Sequence, residues 1–187
     1  VFPPIFLASS QSSLHLLDGA QNQIVSSSSS SGDKDRPIID LSKYSKLQTI
    51  SLGLNKITTM PYISKSVTRL DLSSNNLTNV CGLFVVDDNN NNKDNLNHHP
   101  DPPSLVDLVL QDNHLTQLEA DVMEQCTKLQ RLDVSANKLK TLPYQLGFLP
   151  QLQSLRLTGN PLYTFKSSDI ENTRAILEVL RRRAPKQ

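Results

Sequence analysis

Three copies of one spacing pattern lie between residues 105 and 162 of this chain. They read LVDLVLQDNHL from Leu105, LQRLDVSANKL from Leu129 and LQSLRLTGNPL from Leu152, and each fits L-x-x-L-x-L-x-x-N-x-L. The leading leucines are separated by 24 residues (105 to 129) and then by 23 residues (129 to 152). A unit that recurs at this period cannot bury its leucines alone and must stack against its neighbours. The pattern therefore predicts a linear array of repeats.

The same spacing occurs twice more upstream, in LQTISLGLNKI from Leu47 and VTRLDLSSNNL from Val67. It is the signature of leucine-rich repeats. In each copy the x-L-x-L-x segment alternates inward and outward side chains, which predicts a short strand. We expect an α/β fold, a leucine-rich repeat solenoid with a curved parallel sheet on its concave side. Short helices or extended segments should form the convex side, with a C-terminal capping helix.

One asparagine follows the strand in every clear repeat. Its side-chain amide has two donor hydrogens and an acceptor oxygen, which suit the backbone groups exposed where a strand turns away. We expect these side chains to form a structural ladder through the array. They are Asn55, Asn75, Asn113, Asn137 and Asn160.

Two polar insertions interrupt the repeats. They lack the apolar side chains that would offset the entropy of ordering, so both are predicted to be disordered. The first residue is Val1 and not methionine, so we expect a fragment of a longer protein. The predicted organisation is a degenerate repeat at 1–25, a serine-rich disordered insertion at 26–37, repeats at 38–86, an Asn/Asp/Pro-rich disordered loop at 87–103, repeats at 104–165 and a capping helix at 166–187.

The segments between the strands differ in their predicted structure. Apolar spacing predicts a short helix within 118–129 and another within 142–149, with Pro143 in its first turn. Residues 58–66 (TTMPYISKS) connect two repeats that start only 20 residues apart, at 47 and 67, so we expect an extended segment there.

The C-terminal segment has the features of a terminal helix. Ser168 and Glu171 have the spacing of a capping box, and Thr173 offers a second start. Apolar residues at 176, 177 and 180 form one stripe, and three arginines at 181–183 suit the negative end of the helix dipole.

The segment from Leu142 to Pro185 resembles the C-terminal end of the leucine-rich repeat-containing protein 40 family and its intracellular relatives. The matching motifs are Gly-Asn-Pro-Leu at 159–162 and Ile-Leu-Glu-Val-Leu-Arg-Arg-Arg at 176–183. The family's Gly-Thr is Asn-Thr at 172–173 here, and its tyrosine is Val179. Because asparagine tolerates a left-handed backbone, we expect the bend to survive. The resemblance implies a non-enzymatic intracellular repeat protein without a defined partner.

A cluster of histidine and aspartate residues is the strongest candidate for a metal site. Its members are Asp94, His98, His99 and Asp101. They lie in a low-complexity loop, whereas metal sites need ligands held by a surrounding shell. We therefore expect no metal site.

No catalytic or cofactor-binding residues are predicted either. Cys81 and Cys126 have no nearby histidine in the repeat frame to act as a base, and no glycine-rich phosphate loop exists among the six glycines. We expect both cysteines to be reduced and partly buried, which favours a cytoplasmic or nuclear location. The net charge of +1 gives no reason to expect nucleic acid or an anionic membrane surface as a partner. No segment approaches the roughly 18 apolar residues of a membrane span.

The outward residues of the strands form the candidate binding surface, because solenoid concavities are extended binding surfaces. An ordinary solvated sheet face is the alternative, with opposite charges paired across neighbouring strands. The predicted partner is a protein of unknown identity. The predicted contact residues are Ser51, Arg69, Asp71, Asp107, Val109, Gln111, Arg131, Asp133 and Arg156.

Two interpretations of the function remain open. The chain is either an interaction module without catalysis or the recognition part of a larger enzyme or regulatory subunit, such as a kinase, a ubiquitin ligase or a phosphatase regulator. We also expect that reversing the charges of Asp71, Asp133 and Arg156 together leaves folding intact and abolishes partner binding.

Overall fold

The computed structural model describes residues 15–24, 39–81, 104–166 and 169–185. The two predicted insertions, at 26–37 and 87–103, lie outside these residues. So do the candidate metal cluster and Ser168 of the expected capping box.

A six-stranded parallel sheet forms one face of the described molecule. Its strand order is β1-β3-β5-β6-β7-β8, and a second, two-stranded parallel sheet joins β2 to β4. The strands are β1 (Leu16–Asp18), β2 (Asp40–Leu41), β3 (Thr49–Ser51), β4 (Tyr62–Ile63), β5 (Arg69–Asp71), β6 (Asp107–Val109), β7 (Arg131–Asp133) and β8 (Ser154–Arg156). The helices are α1 (Ala120–Gln125), a 3-10 helix (Tyr144–Phe148) and α2 (Thr173–Arg182).

The register of the six-stranded sheet aligns equivalent positions of successive repeats. Each strand has three residues, and the buried middle residue pairs with the middle residue of the next strand. These buried residues are Leu17, Ile50, Leu70, Leu108, Leu132 and Leu155. The predicted solenoid fold is confirmed, with the leucine core between the sheet and the convex segments.

The convex side is less regular than the spacing predicts. The first predicted helix is only α1, six residues long. The second is the 3-10 helix, and Pro143 precedes it in an extended conformation, with ψ of 138°. The extended segment predicted at 58–66 is confirmed, because it contains β4, which pairs with β2.

The repeat asparagines connect each repeat to the one before it. The side-chain oxygen of Asn137 accepts a hydrogen bond from the Leu115 amide at 2.9 Å. Its nitrogen donates to the Leu110 carbonyl of the preceding repeat at 2.9 Å and to the Val134 carbonyl of its own repeat at 3.1 Å. Asn75, Asn113 and Asn160 form the same three bonds with their equivalents.

Asn55 extends this ladder to the N-terminal segment. Its oxygen accepts from the amides of Asn22 and Ile24, and its nitrogen donates to the Gly19 carbonyl. The degenerate repeat predicted at 1–25 therefore contributes a strand and a buried Ile24. Its own asparagine, Asn22, is exposed and bonds locally to Ala20, so it occupies no position in the ladder.

The residue before each ladder asparagine has a left-handed backbone. These residues, with their φ angles, are Leu54 (56°), Ser74 (52°), Asp112 (56°), Ala136 (51°) and Gly159 (76°). Left-handed backbone costs a non-glycine residue about 1–2 kcal/mol. In four of these five repeats the packing and the ladder therefore hold a conformation that the residue does not favour.

Helix α2 closes the last repeat through an arrangement that differs from the expected one. Asn172 is the N-cap, and its side chain accepts from the Ala175 amide at 3.1 Å. Its φ is −100°, so the expected left-handed bend at this position is wrong. The first helical residue, Thr173, places its hydroxyl against the edge of β8. There it accepts from the Leu155 amide at 3.0 Å and donates to the Leu155 carbonyl at 3.4 Å.

The three arginines at the end of α2 are partly engaged with the fold. Arg181 donates to the Gly147 carbonyl, and Arg182 pairs with Glu178 one turn earlier. The guanidinium of Arg183 lies 5.0 Å from the centre of the Phe165 ring and donates to the Thr164 carbonyl at 3.1 Å. These contacts agree with the expectation of a terminal cap.

The left-handed positions predict opposite effects of two reciprocal substitutions. Gly159→Ala should lower the free energy of unfolding by about 1 kcal/mol or more, because it adds backbone strain. Its new Cβ would also lie 3.1 Å from the Ala136 Cα. Ala136→Gly should be neutral or stabilise by up to about 1 kcal/mol, since the relieved strain opposes the greater chain entropy of glycine. Urea unfolding measures both values, and a clearly destabilised Ala136→Gly variant would contradict the strain argument.

Candidate protein-binding groove

The outward side chains of β3 and β5–β8 line a groove of about 510 Å³ on the concave face. Its residues form two columns that cross the strands, as the register of the sheet requires. The first column is Thr49, Arg69, Asp107, Arg131 and Ser154. The second column is Ser51, Asp71, Val109, Asp133 and Arg156.

A three-residue ion cluster occupies the middle of the first column. Asp107 lies between Arg69 and Arg131, with a distance of 3.2 Å to Arg69 Nε and a two-oxygen contact to Arg131. Hydrogen bonds and charge from Asp107 raise the pKa of Arg131 above its ordinary value. An arginine guanidinium is cationic at any physiological pH, with or without this effect. The cluster therefore fixes the orientation of the three side chains and creates no acid or base.

The carboxylates of the second column have a structural role that the sequence analysis missed. Asp133 Oδ1 accepts from both the amide and the hydroxyl of Ser135, at 3.0 and 2.5 Å. Asp71 Oδ1 accepts from the Ser73 amide at 2.8 Å. These are Asx turns, which fix the chain where it leaves the strand. Both repeats contain Asp-x-Ser, and this spacing could have predicted the two turns from the sequence.

Most of the predicted contact residues come together in this groove. Gln111 is the exception: it follows the end of β6, and its carbonyl accepts from the side chain of Asn113. Thr49 and Ser154 line the groove although the predicted set omits them. The expectation that Asp71 and Asp133 can be reversed without affecting folding does not fit their Asx turns. Arg156, which lies 3.6 Å from Asp133 and is 73% exposed, can be changed more safely.

The two cysteines occupy different environments. Cys126 is fully buried, and burial raises the pKa of its thiol to about 12. Cys81 is exposed, contrary to the expectation that both are partly buried. Some desolvation of its thiol and the charge of the nearby Glu119 raise the pKa of Cys81 as well. A raised pKa lowers the thiolate fraction, so neither environment activates a nucleophile.

Two kinds of feature are absent from the described residues. No group of three or more His, Cys, Asp or Glu side chains within them could hold a metal ion. None of their helices is both long enough and apolar enough to cross a membrane.

Family models match the repeats themselves. A model described as "Leucine rich repeat" matches residues 103–162, and a second model with the same description matches residues 64–80. These segments contain leucine-rich repeats, and the fold is that of a leucine-rich repeat solenoid. The narrower resemblance of its C-terminal segment to the leucine-rich repeat-containing protein 40 family stays a prediction.

The similar proteins described here come from three different organisms. The Oplophorus-luciferin 2-monooxygenase non-catalytic subunit of Oplophorus gracilirostris is 25% identical over 148 residues, which are 76% of this chain and 37% of that protein. An internalin from Listeria monocytogenes shares the fold with a TM-score of 0.50 and 17% identity, over 70% of this chain and 34% of the internalin. A leucine-rich repeat protein of Leptospira interrogans matches with 23% identity and a TM-score of 0.44, over 73% of this chain and 38% of that one. The matched part of this chain thus spans just over a third of the length of each of these three proteins.

The Asx turn at Asp133 predicts a difference between two substitutions. Asp133→Ala removes both hydrogen bonds to Ser135 and should lower the free energy of unfolding by about 1–2 kcal/mol. Asp133→Asn keeps an acceptor oxygen in place and should recover most of that loss, although it removes the charge facing Arg156. Chemical denaturation of the two variants measures the difference. Equal losses for Ala and Asn would mean that the charge matters and the turn does not.

Proposed function

We propose that this leucine-rich repeat protein is a non-enzymatic interaction module that binds a protein partner on its concave face. The observation that carries the proposal is the groove, in which the exposed groups of five neighbouring strands form one continuous surface. Leucine-rich repeats generally mediate protein–protein interaction, in agreement with this assignment.

The way in which the groove is held also supports the proposal. Its side chains project from strands whose ends are fixed by the asparagine ladder and by Asx turns. Adjacent strands of a sheet lie about 4.7–4.9 Å apart, so the spacing of the residues along each column is set before a partner arrives. A preorganised surface loses less conformational entropy on binding.

A second candidate role is that of the recognition part of a larger enzyme or assembly. The Oplophorus relative favours this role, because it is by name the non-catalytic subunit of a monooxygenase and is longer than this chain. Both roles use the same groove. For either role we propose the cytoplasm or the nucleus as the location, on the basis of the free cysteines.

Site-specific photo-crosslinking in cells tests the docking face. A benzoylphenylalanine replaces Val109 at the centre of the groove in one variant and the 58% exposed Phe148 of the 3-10 helix in the other. The Val109 variant should give a discrete crosslinked protein that mass spectrometry identifies, and the Phe148 variant should not give it. If Phe148 captures the same protein and Val109 captures none, the partner binds elsewhere and the proposal fails.

A further inference from the structure

We propose that the groove recognises an extended acidic segment of its protein partner, whose carboxylates bind the outward faces of Arg69, Arg131 and Arg156. The inference rests on the proposed docking function and adds the chemistry of the partner. It follows from three features of the groove: which charges are exposed, which hydrogen-bonding groups remain unused, and how the arginines are spaced.

The positive groups of the groove are much more exposed than the negative groups. The side chains of Arg69, Arg131 and Arg156 are 63%, 57% and 73% exposed. The side chains of Asp107 and Asp133 are only 14% and 13% exposed. The formal charges of the two columns cancel, with three arginines and three aspartates. A partner nevertheless meets guanidinium groups first, while the carboxylates form the floor beneath them.

The unused hydrogen-bonding groups show the same asymmetry. Both oxygens of Asp107 contact arginines, and one oxygen of Asp133 is bound to Ser135 while the other faces Arg156. Asp71 uses one oxygen on the Ser73 amide, and its second oxygen is the one carboxylate acceptor of the described groove with no hydrogen bond or ion pair. A guanidinium has five N–H donors and no acceptor. Arg131 uses two of its nitrogens on Asp107, whereas Arg69 directs Nε at the same carboxylate. The outer surface is therefore rich in donors and poor in acceptors, which suits a ligand that supplies acceptor oxygens.

The arginine spacing suits an extended chain that crosses the strands. Arg69 and Arg131 occupy one column two strands apart, or roughly 9–10 Å at the usual strand spacing. A partner segment in the extended polyproline II conformation advances about 3.1 Å per residue with three residues per turn, so carboxylates three residues apart would lie on one face at a matching distance. Val109 lies in the strand between them and offers an apolar contact for a side chain between the two acids.

Nucleic acid fits the groove less well than an acidic peptide, although phosphates are also acceptors. Protein surfaces that bind single strands combine a positively charged groove with aromatic platforms for the bases. The lining residues include no aromatic side chain, and three aspartates lie among them.

Direct binding assays with defined peptides test the proposal. The probes are fluorescein-labelled (Glu-Val-Thr)4, its lysine counterpart (Lys-Val-Thr)4 and a 12-nucleotide thymidine single strand, and fluorescence anisotropy with the full chain reports affinity. The acidic peptide should bind most tightly, and its affinity should fall as salt rises. Equal or tighter binding of the lysine peptide or of the DNA would overturn the proposal.

Matched variants assign the binding to the groove. The double variant Arg69→Gln/Arg131→Gln should weaken acidic-peptide binding at least about tenfold, since it removes two charge-assisted contacts. Arg174→Gln on α2 changes one exposed arginine outside the groove and should leave affinity unchanged. Asp107→Asn keeps both arginines and should bind as tightly as the parent or more tightly. Unfolding curves confirm that each variant is folded.

Failure of this inference can be told apart from failure of the docking role. If the acidic peptide does not bind, or binds the double variant equally well, the acidic-segment proposal is wrong. A crosslink from Val109 but not from Phe148 would still support docking on this face, by a partner of different chemistry. Loss of that crosslink would reject the docking role itself.

Discussion

The hydrogen bonds of the repeat asparagines connect the separate repeats into one body. Each repeat has a three-residue strand and a few buried apolar side chains, too little to fold alone. The asparagine of one repeat satisfies a buried amide and a buried carbonyl of the repeat before it. This bond crosses even the long polar insertion, because Asn113 accepts from the Leu77 amide at 2.9 Å. A buried polar group left without such a partner costs about 1–3 kcal/mol. The stacking of the repeats therefore depends on the turn that places each asparagine.

The backbone conformation after each strand also determines the geometry of the groove. A left-handed residue and the ladder asparagine turn the chain away after the strand, and an Asx turn at Asp71 or Asp133 fixes the strand end. Asp133 also forms part of the negative floor of the groove, beneath the exposed Arg156. The structural role and the proposed recognition role therefore share residues in the second column, whereas the arginine side chains of the groove bind no backbone group of the described turns. This division makes the arginines the suitable positions for testing recognition separately from stability.

The repeat spacing was sufficient to predict the solenoid, the buried leucines and the positions of the ladder asparagines, because one period governs all three. It could not predict the helices as well, since the convex side obeys no fixed pattern and the second predicted helix became a 3-10 turn. The bonds between the Thr173 hydroxyl and Leu155 of β8 are tertiary contacts that no local spacing encodes, whereas the N-cap bond of Asn172 to the Ala175 amide is local. All of the predicted contact residues except Gln111 line the groove, and their part in binding stays a prediction. The burial of the aspartates beneath the arginines emerged only from the three-dimensional packing.

Amide hydrogen exchange of the ladder donors tests most directly whether the asparagines join the repeats into one cooperative body. The amides of Ile57, Leu77, Leu115 and Leu139 each donate to the asparagine of the following repeat. We predict that all four exchange at one slow rate, set by global unfolding, and that Asn113→Ala accelerates Ile57 and Leu77 most. If Ile57 and Leu77 already exchange much faster than Leu115 and Leu139 in the parent protein, the two halves open independently across the insertion, and the account of a single rigid groove is contradicted.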